Sequence, residues 1–425
     1  MTTDSKLEFD MDKLNACIHC GFCLSVCPTY RVTGSEAESP RGRLYLMRGF
    51  SQGKLDTTEQ LTKHLDPCLA CHACETACPS GVEYGHLLLE TREKLAQQNN
   101  SLGRFVRRFA FNYILPNKAL LHVMASAIRL YQAMGIDRLI QKSGLLAPWP
   151  SLVAMVDLLP KLSKEKRLYT GMSFGNPSGK RVALLTGCVM DAFQTSVHWA
   201  TARVLAANGY YVTIPPQGCC GALAHHAGET DITRKLAKQN ILWIREQNPD
   251  YIVVNSAGCG STLKEYDQLL KDDIVYADKA KWFSNKIVDV MELLAEKPLA
   301  KFSRTLDATV TYHAACHLHH VQGVKTQTQS LLEQVPGLKL VPLTEYDICC
   351  GSAGIYNIQH PELADEILDV KMKHIKEAYE ASGAEAVVTG NPGCMMQIAK
   401  GMRGNGLPMR VAHPVEYLAQ AYEQN

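Results

Sequence analysis

From Arg181 to the C-terminus, short apolar runs alternate with longer stretches in which apolar residues recur every three or four positions. RVALLTGCV, starting at Arg181, reads as a strand, Gln194 to Asn208 as a helix, and YYVTI, starting at Tyr210, as a second strand. Ile232 to Gln247 then reads as a helix and DYIVVNSAG, from Asp250, as a strand. The plan returns with TVTYHAAC from Thr309, KLVPL from Lys339, a helix from Pro361 to Tyr379 and AEAVVTGN from Ala384. The offset is roughly 130 residues, which is an internal repeat. Strands separated by helices predict parallel sheets, so two tandem α/β repeats are expected at 181–305 and 306–425. The chain before them has no such alternation. A helical run extends from Tyr84 to Gln98, and between Leu102 and Leu162 apolar residues such as Leu120, Met124, Ile128 and Tyr131 recur at helical spacing. Ser163 to Lys180, with Gly171, Gly175, Pro177 and Gly179, has the composition of a linker. The expected class is a multidomain α+β and α/β protein: a helix-rich domain at 1–100, a helical connector and linker at 101–180, and the two repeats.

Length and composition bound the function. The chain has 425 residues, 46% of them hydrophobic, enough for several cores, and a net charge of +2 from 44 basic and 42 acidic residues. Nothing in that balance calls for nucleic acid as a partner. The start, MTTDSKLEFDMDKL, is acidic and lacks an apolar core, so no secretory signal is expected and the compartment is read as the reducing cytoplasm. Sixteen cysteines there are better explained by metal or redox chemistry than by disulfides. They fall into four groups of four: Cys17, Cys20, Cys23, Cys27; Cys68, Cys71, Cys74, Cys78; Cys188, Cys219, Cys220, Cys259; and Cys316, Cys349, Cys350, Cys394.

CIHCGFCLSVCP and CLACHACETACP both spell C-x2-C-x2-C-x3-C-P, the two-cluster bacterial ferredoxin pattern. Three closely spaced thiolates wrap three corners of a 4Fe–4S cubane, and the fourth comes from the other motif. Cluster 1 is therefore assigned to Cys17, Cys20, Cys23 and Cys78, and cluster 2 to Cys68, Cys71, Cys74 and Cys27. Pro28 and Pro79 end the two loops. Structural zinc is the rival occupant, disfavoured by the third cysteine and the trailing proline. His19 and His72 lie inside the loops and are read as packing or donor residues, because four thiolates already suffice. The forty residues between Cys27 and Cys68 suggest a helix-rich version of the domain.

In each repeat four thiolates converge. Cys188 precedes GCCGALAHH and SAGCGST follows; Cys316 precedes ICCGSAG and NPGCMMQ follows. Gly221 and Gly351 supply the flexible turn after each doublet. Cys188, Cys259, Cys316 and Cys394 lie at or beyond the C-terminal ends of predicted strands, the ligand-binding edge of an open α/β sheet. Each quartet can hold an iron–sulfur cluster or zinc, a possible third and fourth centre. His225, His226, His313, His317, His319 and His320 cluster near these motifs, as ligands, proton donors or groups packed behind the thiolates.

The doublet followed by glycine resembles the cysteine-rich CCG domain of heterodisulfide reductases, succinate dehydrogenase variants and lactate- or glycolate-oxidising complexes. In heterodisulfide reductases the last element is CxxC and five cysteines hold a catalytic cluster. Here Thr262 and Gln397 replace the second cysteine of that pair, which argues against disulfide reduction. The ordered set HCGFCLSVCPTY, SPRGRLYLMR, CPSGVEY, CCGALAHHAGE, YHAACHLHHVQGV, CCGSAGIYN and NPGCMMQI spans nearly the whole chain and is similar to the iron–sulfur subunits of glycolate oxidase (glycolate dehydrogenase). The resemblance implies that flavoprotein partner subunits carrying FAD oxidise glycolate to glyoxylate. This chain, a subunit of that oxidoreductase with no catalytic residue and no substrate site of its own, would pass the electrons toward quinone or another acceptor. The other readings are a heterodisulfide-reductase-like subunit and the iron–sulfur subunit of a lactate or glycerol 3-phosphate dehydrogenase. No GxGxxG at dinucleotide spacing occurs, so no flavin or nicotinamide site is expected on this chain.

Between Ser101 and Leu146 seven basic residues, Arg104, Arg107, Arg108, Lys118, Arg129, Arg138 and Lys142, face one acid, Asp137, a local charge of +6 that leaves the remainder at −4. With Phe105, Phe109, Phe111, Tyr113 and Trp149, such a stretch suits either an anionic membrane surface or packing on the cluster domain or a partner. It cannot span a bilayer, because Arg129, Pro148 and Pro150 interrupt the apolar runs. A cytoplasmic protein, peripheral on the inner face of the membrane and near quinone, fits that reading.

Overall fold

The computed structural model describes residues 9–55, 58–99, 101–136, 148–160, 162 and 165–423. Asp137, Arg138 and Lys142 of the connector, Ser163 of the linker and the first eight residues lie outside the described residues.

Among the described residues, nine strands form two sheets. The first has the order β1-β3-β2-β4-β5, with β1 at Ser173–Phe174, β2 at Lys180–Leu185, β3 at Tyr210–Thr213, β4 at Tyr251–Val254 and β5 at Ile287–Asp289. The second has the order β7-β6-β8-β9, with β6 at Ala308–Tyr312, β7 at Leu338–Val341, β8 at Ala386–Val388 and β9 at Arg410–Ala412. All pairings are parallel except β1 against β3. The tandem repeat is therefore real: β3-β2-β4-β5 and β7-β6-β8-β9 have one topology. Strands β2 and β4 are fully apolar where they are buried, as strands covered on both faces must be.

The expected helices form at Thr195–Ala207, Thr230–Arg245 and Pro361–Ser382. The linker contains β1, which the glycine-rich composition concealed. Gly175 follows it at φ +83°, where a Cβ would stand 2.2 Å from the Tyr210 carbonyl. Each repeat ends in a capping box that begins a short helix. Asp289 and Glu292 cap Val290–Leu294, and His413 and Glu416 cap Pro414–Tyr422.

The repeats are one body. Val182, Leu184 and Val253 share a core with Val310, Val388 and Ala412. Ala257 N donates to Gly390 O at 3.0 Å, and His413 Nε2 donates to Asn255 O at 3.0 Å, so the loops after β4 and β8 meet at the seam.

The first hundred residues are helical around the two cysteine loops, with helices at Pro40–Ser51, Thr58–Leu65 and Tyr84–Gln98 packed through Leu44, Met47, Leu61, Leu87 and Leu88. The connector forms helices Leu102–Phe109 and Lys118–Ala133. Its inner side packs Phe111, Leu121 and Ala125 onto the first repeat. Leu120 and Met124, members of the stripe read from spacing, lie on the opposite, solvent-facing side. Among the described residues no helix is long and apolar enough to cross a membrane.

Candidate metal centres

The two N-terminal loops share a backbone form. His19 and Gly21 in one, and Ala70 and His72 in the other, occupy the left-handed region at matching positions. Holding His19, Ala70 and His72 there is strained for residues with a Cβ, a cost that surrounding contacts must offset. Gly85 makes room for the His72 ring, which would stand 1.9 Å from a Cβ at that position. His72 Nδ1 pairs with Glu75 at 2.9 Å, whereas His19 is exposed.

Backbone N–H groups reach the sulfurs, from Ala70 to Cys68 Sγ and from Val82 to Cys78 Sγ, both at 3.5 Å. The Cys27 thiol lies in the field of Cys68, and both are felt by Cys71 and Cys74. Cys17, Cys20, Cys23 and Cys78 line a separate small cavity, which Cys74 also borders. Cys27 thus lies near the sulfurs of the second motif as well as near Cys23 of its own, and Cys78 lines the cavity of the first motif.

A cation that the sequence reading passed over lies between the motifs. Arg43, 1% exposed, donates to His64 O (2.7 Å), Thr29 Oγ1 (3.1 Å) and Glu38 (2.8 Å). Arg92 donates to the carbonyls of Leu65, Asp66, Cys68 and His226. Burial disfavours the Cys68 thiolate, but Arg43, Arg92 and a hydrogen bond from Tyr84 outweigh it and hold the thiol below its ordinary value. Cys71 and Cys74 are pushed well above theirs by burial, with neighbouring sulfurs adding to the effect. The signal for Arg43 was its place in SPRGR, between two cysteine motifs.

Each repeat collects its thiols at the C-terminal edge of its sheet, on both sides of the point where strand order reverses. Cys188 follows β2, the doublet Cys219–Cys220 follows β3, and Cys259 lies in the helix Ala257–Lys264 after β4. Cys316, Cys349–Cys350 and Cys394 occupy the same places after β6, β7 and β8. Gly221 and Gly351 make the turns, with φ +83° and +87°. Cys188 Sγ donates to Cys219 Sγ at 3.5 Å, and Cys220 is within reach of Cys219 and Cys259. Cys349 and Cys350 likewise link Cys316 to Cys394. Both quartets open onto one chamber of about 160 Å³. Cys71 packs with Cys316 and Cys349, so the second N-terminal motif abuts the second repeat.

Of the histidines, His226 and His317 line the chamber with ring centroids 4.9 Å apart. His225 faces Glu265, His319 faces Asp347, and His320 Nδ1 meets Thr76 Oγ1 at 3.0 Å. His313 is wholly buried beside Cys350 and Cys394. Gln397 accepts from Asn357 at 2.9 Å, so this residue at the missing cysteine's position belongs to a hydrogen-bond network.

Two lysines, Lys118 half-buried and Lys371 buried, stand beside the quartets, a role that their sequence positions did not suggest. Lys118 of the connector reaches Thr186 Oγ1 at 2.9 Å, and its positive charge falls on Cys188 and Cys219. Lys371 bonds the Glu345 carbonyl and faces Cys350 and Cys349, and burial pulls its pKa down to about 8. Lys371 interrupts the stripe Ala364, Ile367, Leu368, Met372, Ile375, which is the signal that could have found it.

Besides Lys118, three of the connector's arginines are engaged within the chain. Arg104, Arg107 and Arg108 all grip Glu229, which is 0% exposed, at 3.0, 3.2 and 2.5 Å.

Comparison with known proteins agrees with this layout. Residues 13–82 match the 4Fe-4S dicluster domain, 182–264 and 310–399 the cysteine-rich CCG domain, and 102–159 the linker region of the glycolate oxidase iron-sulfur subunit. A probable glycolate oxidase iron-sulfur subunit of Bacillus subtilis (strain 168) is 39% identical, over 98% of this chain and 96% of its own length. The glycolate oxidase iron-sulfur subunit of Escherichia coli (strain K12) is 34% identical, over 97% and 95%. A hypothetical protein from Helicobacter pylori, known from its crystal structure, shares the fold with a TM-score of 0.54 at 11% identity, covering 98% of this chain and 75% of that one. Iron–sulfur donor sets, a connector of matching type and full-length similarity converge on one statement: the chain belongs to the family of glycolate oxidase iron–sulfur subunits, electron-transferring members of an oxidoreductase complex.

Proposed function

We propose that this chain takes electrons from flavin-bearing subunits that oxidise glycolate to glyoxylate and passes them toward quinone at the membrane surface. Its working parts are a cluster domain at 1–100, a connector at 101–180 and CCG repeats at 181–305 and 306–425. Cys17, Cys20, Cys23 and Cys78 are the ligands of cluster 1, and Cys68, Cys71, Cys74 and Cys27 those of cluster 2. Cys188, Cys219, Cys220 and Cys259 hold a third centre and Cys316, Cys349, Cys350 and Cys394 a fourth, each iron–sulfur or zinc. Bound clusters supply one-electron redox chemistry; the chain's residues supply thiolates, compensating cations and exclusion of water. With Thr262 and Gln397 in place of a fifth cysteine, the repeats are proposed as relays rather than disulfide-reducing sites.

The observation that carries this reading is contiguity: Cys71 packs on Cys316 and Cys349, and the two repeat quartets share one chamber. The exposed apolar residues Leu102, Phe105, Phe109, Tyr113 and Val123 support a peripheral position on the membrane. A cleft of about 520 Å³ that borders Cys68, Leu69 and Tyr356 supports access by a small acceptor. The test is anaerobic purification with and without the flavoprotein subunits, iron and sulfide analysis, and assays with glycolate, lactate and glycerol 3-phosphate. Electron delivery from glycolate alone, with more than about eight irons per chain, is expected. A preference for lactate, or a colourless zinc protein, overturns the reading.

A further inference from the structure

Among the described residues, His313 is the histidine grouped with two cysteines at metal-binding range. It sits at the end of β6, three residues before Cys316, and is 0% exposed. Its Nδ1 lies 3.0 Å from the carbonyl oxygen of Tyr346. A carbonyl only accepts, so Nδ1 carries the ring hydrogen and Nε2 of the neutral imidazole is a bare lone pair. Nε2 is buried and has no hydrogen-bond partner among the described residues. His313, Cys350 and Cys394 present ligand atoms that all lie within 4.8 Å of one another. With Nδ1 occupied by Tyr346, Nε2 is the atom left to bind.

This is the pattern of a metal-ligating histidine, in which one ring nitrogen is fixed by a backbone carbonyl and the other is turned to the metal. The surroundings do not otherwise satisfy Nε2. Asn391 Nδ2 is committed to Cys394 Sγ at 3.4 Å. The first repeat has no counterpart, because Leu185 stands three residues before Cys188.

We propose that His313 Nε2 is a ligand of the second repeat's metal centre, which is therefore a mixed imidazole–thiolate site with Cys350 and Cys394, while the first repeat's centre is held by thiolates alone. The proposal rests on the reading that the repeats hold metal. The donor set suits a borderline or soft ion, either cluster iron or zinc. A neutral imidazole donor leaves the site less negative than a further thiolate would and, for iron, raises its reduction potential.

The test uses the full chain, purified anaerobically as wild type, His313→Leu (the residue of the first repeat) and His313→Cys. Iron and zinc are counted, nitrogen coupling to a reduced iron signal is read by pulsed electron spin resonance, and the zinc edge by X-ray absorption. The wild type is expected to show one nitrogen ligand, on iron or on zinc. In His313→Leu it disappears together with the second-repeat metal, while the signals of the N-terminal clusters persist and report a folded chain. In His313→Cys metal returns without nitrogen, and an iron potential falls. Metal in the second repeat with no nitrogen ligand in the wild type, or no change in His313→Leu, overturns the proposal while leaving the repeat centres intact. A chain with about eight irons and no zinc overturns both.

Discussion

The two CCG repeats have the same strand order and the same four cysteine positions, yet they meet different neighbours. The second quartet receives the Cys71 loop of the cluster domain against Cys316 and Cys349 and has His313 beside Cys350 and Cys394. The first receives the connector, through Phe111, Leu121 and Lys118. The sheet edge sets where thiols go; what packs against that edge sets what each quartet can exchange with. The sharpest way to break the comparison is to remove one sulfur from each. Cys349→Ser should abolish the second-repeat signal and also prevent reduction of the first repeat from the cluster domain, since the second quartet is the one that touches Cys71. Cys219→Ser should abolish the first-repeat signal alone. Rapid-freeze spin resonance after reduction separates these outcomes, and equal effects of the two variants would erase the distinction.

The next effect concerns anchoring. Glu229 follows the first doublet at the position that Gln359 holds after the second. Glu229 is fully buried under three arginines of the connector; Gln359 is exposed at the rim of the cleft. Burial alone would raise the Glu229 carboxyl, but the hydrogen bonds from Arg104, Arg108 and Arg107 hold it below its usual value. Removing one member of such a cluster leaves uncompensated charge, so Glu229→Ala should cost about 3 kcal/mol and free the connector. Gln359→Ala should cost no more than about 0.5 kcal/mol. Urea midpoints give the energies, and proteolysis within 102–136 shows the release.

Much of this was legible before the fold was known. Cysteine spacing located the quartets, and apolar runs located β2, β3, β4, β6, β7 and β8. The strands β1, β5 and β9 have two or three residues each and escaped, whereas β8, equally short at three, was found because AEAVVTGN recurs at the repeat's offset. The connector read as basic and amphipathic, but spacing cannot tell which side of Lys118–Ala133 is buried, nor that Arg104, Arg107 and Arg108 are bound to a glutamate more than a hundred residues away. The shared chamber is likewise a property of the seam between repeats, where Ala257 meets Gly390.

A smaller effect tests the two lysines. Lys118 stands by the first quartet and Lys371 by the second, and each is a positive charge that favours the more reduced, more negative state of a nearby centre. At an effective dielectric near 20 such a charge is worth about 1.4–2 kcal/mol, roughly 60–90 mV for one electron. Lys118→Met should lower the first centre's potential by that amount and leave the second unmoved; Lys371→Met should do the reverse. Redox titrations followed by spin resonance read both, and a shift common to both centres would mean that the shared chamber averages their fields.

The smallest difference lies in the capping boxes, far from the sulfurs. Asp289 caps the helix Val290–Leu294, and burial raises its pKa to about 7; His413 caps Pro414–Tyr422, and burial lowers its pKa to about 3. An acid whose folded pKa is raised contributes stability that is complete below its unfolded value, near 3.8, and is lost as pH rises through 7. A histidine whose folded pKa is depressed contributes stability that is present above about 6.5 and lost as pH falls toward 3. The two repeats should therefore loosen in opposite directions. Going from pH 6 to 8 should weaken the first cap by about 1 kcal/mol, and going from pH 7 to 5.5 the second by about the same. Amide hydrogen exchange across 290–294 and 414–422, corrected for intrinsic rates, reads each helix separately. Parallel pH dependence in the two segments would mean that the caps respond to the common core rather than to their own titrating groups.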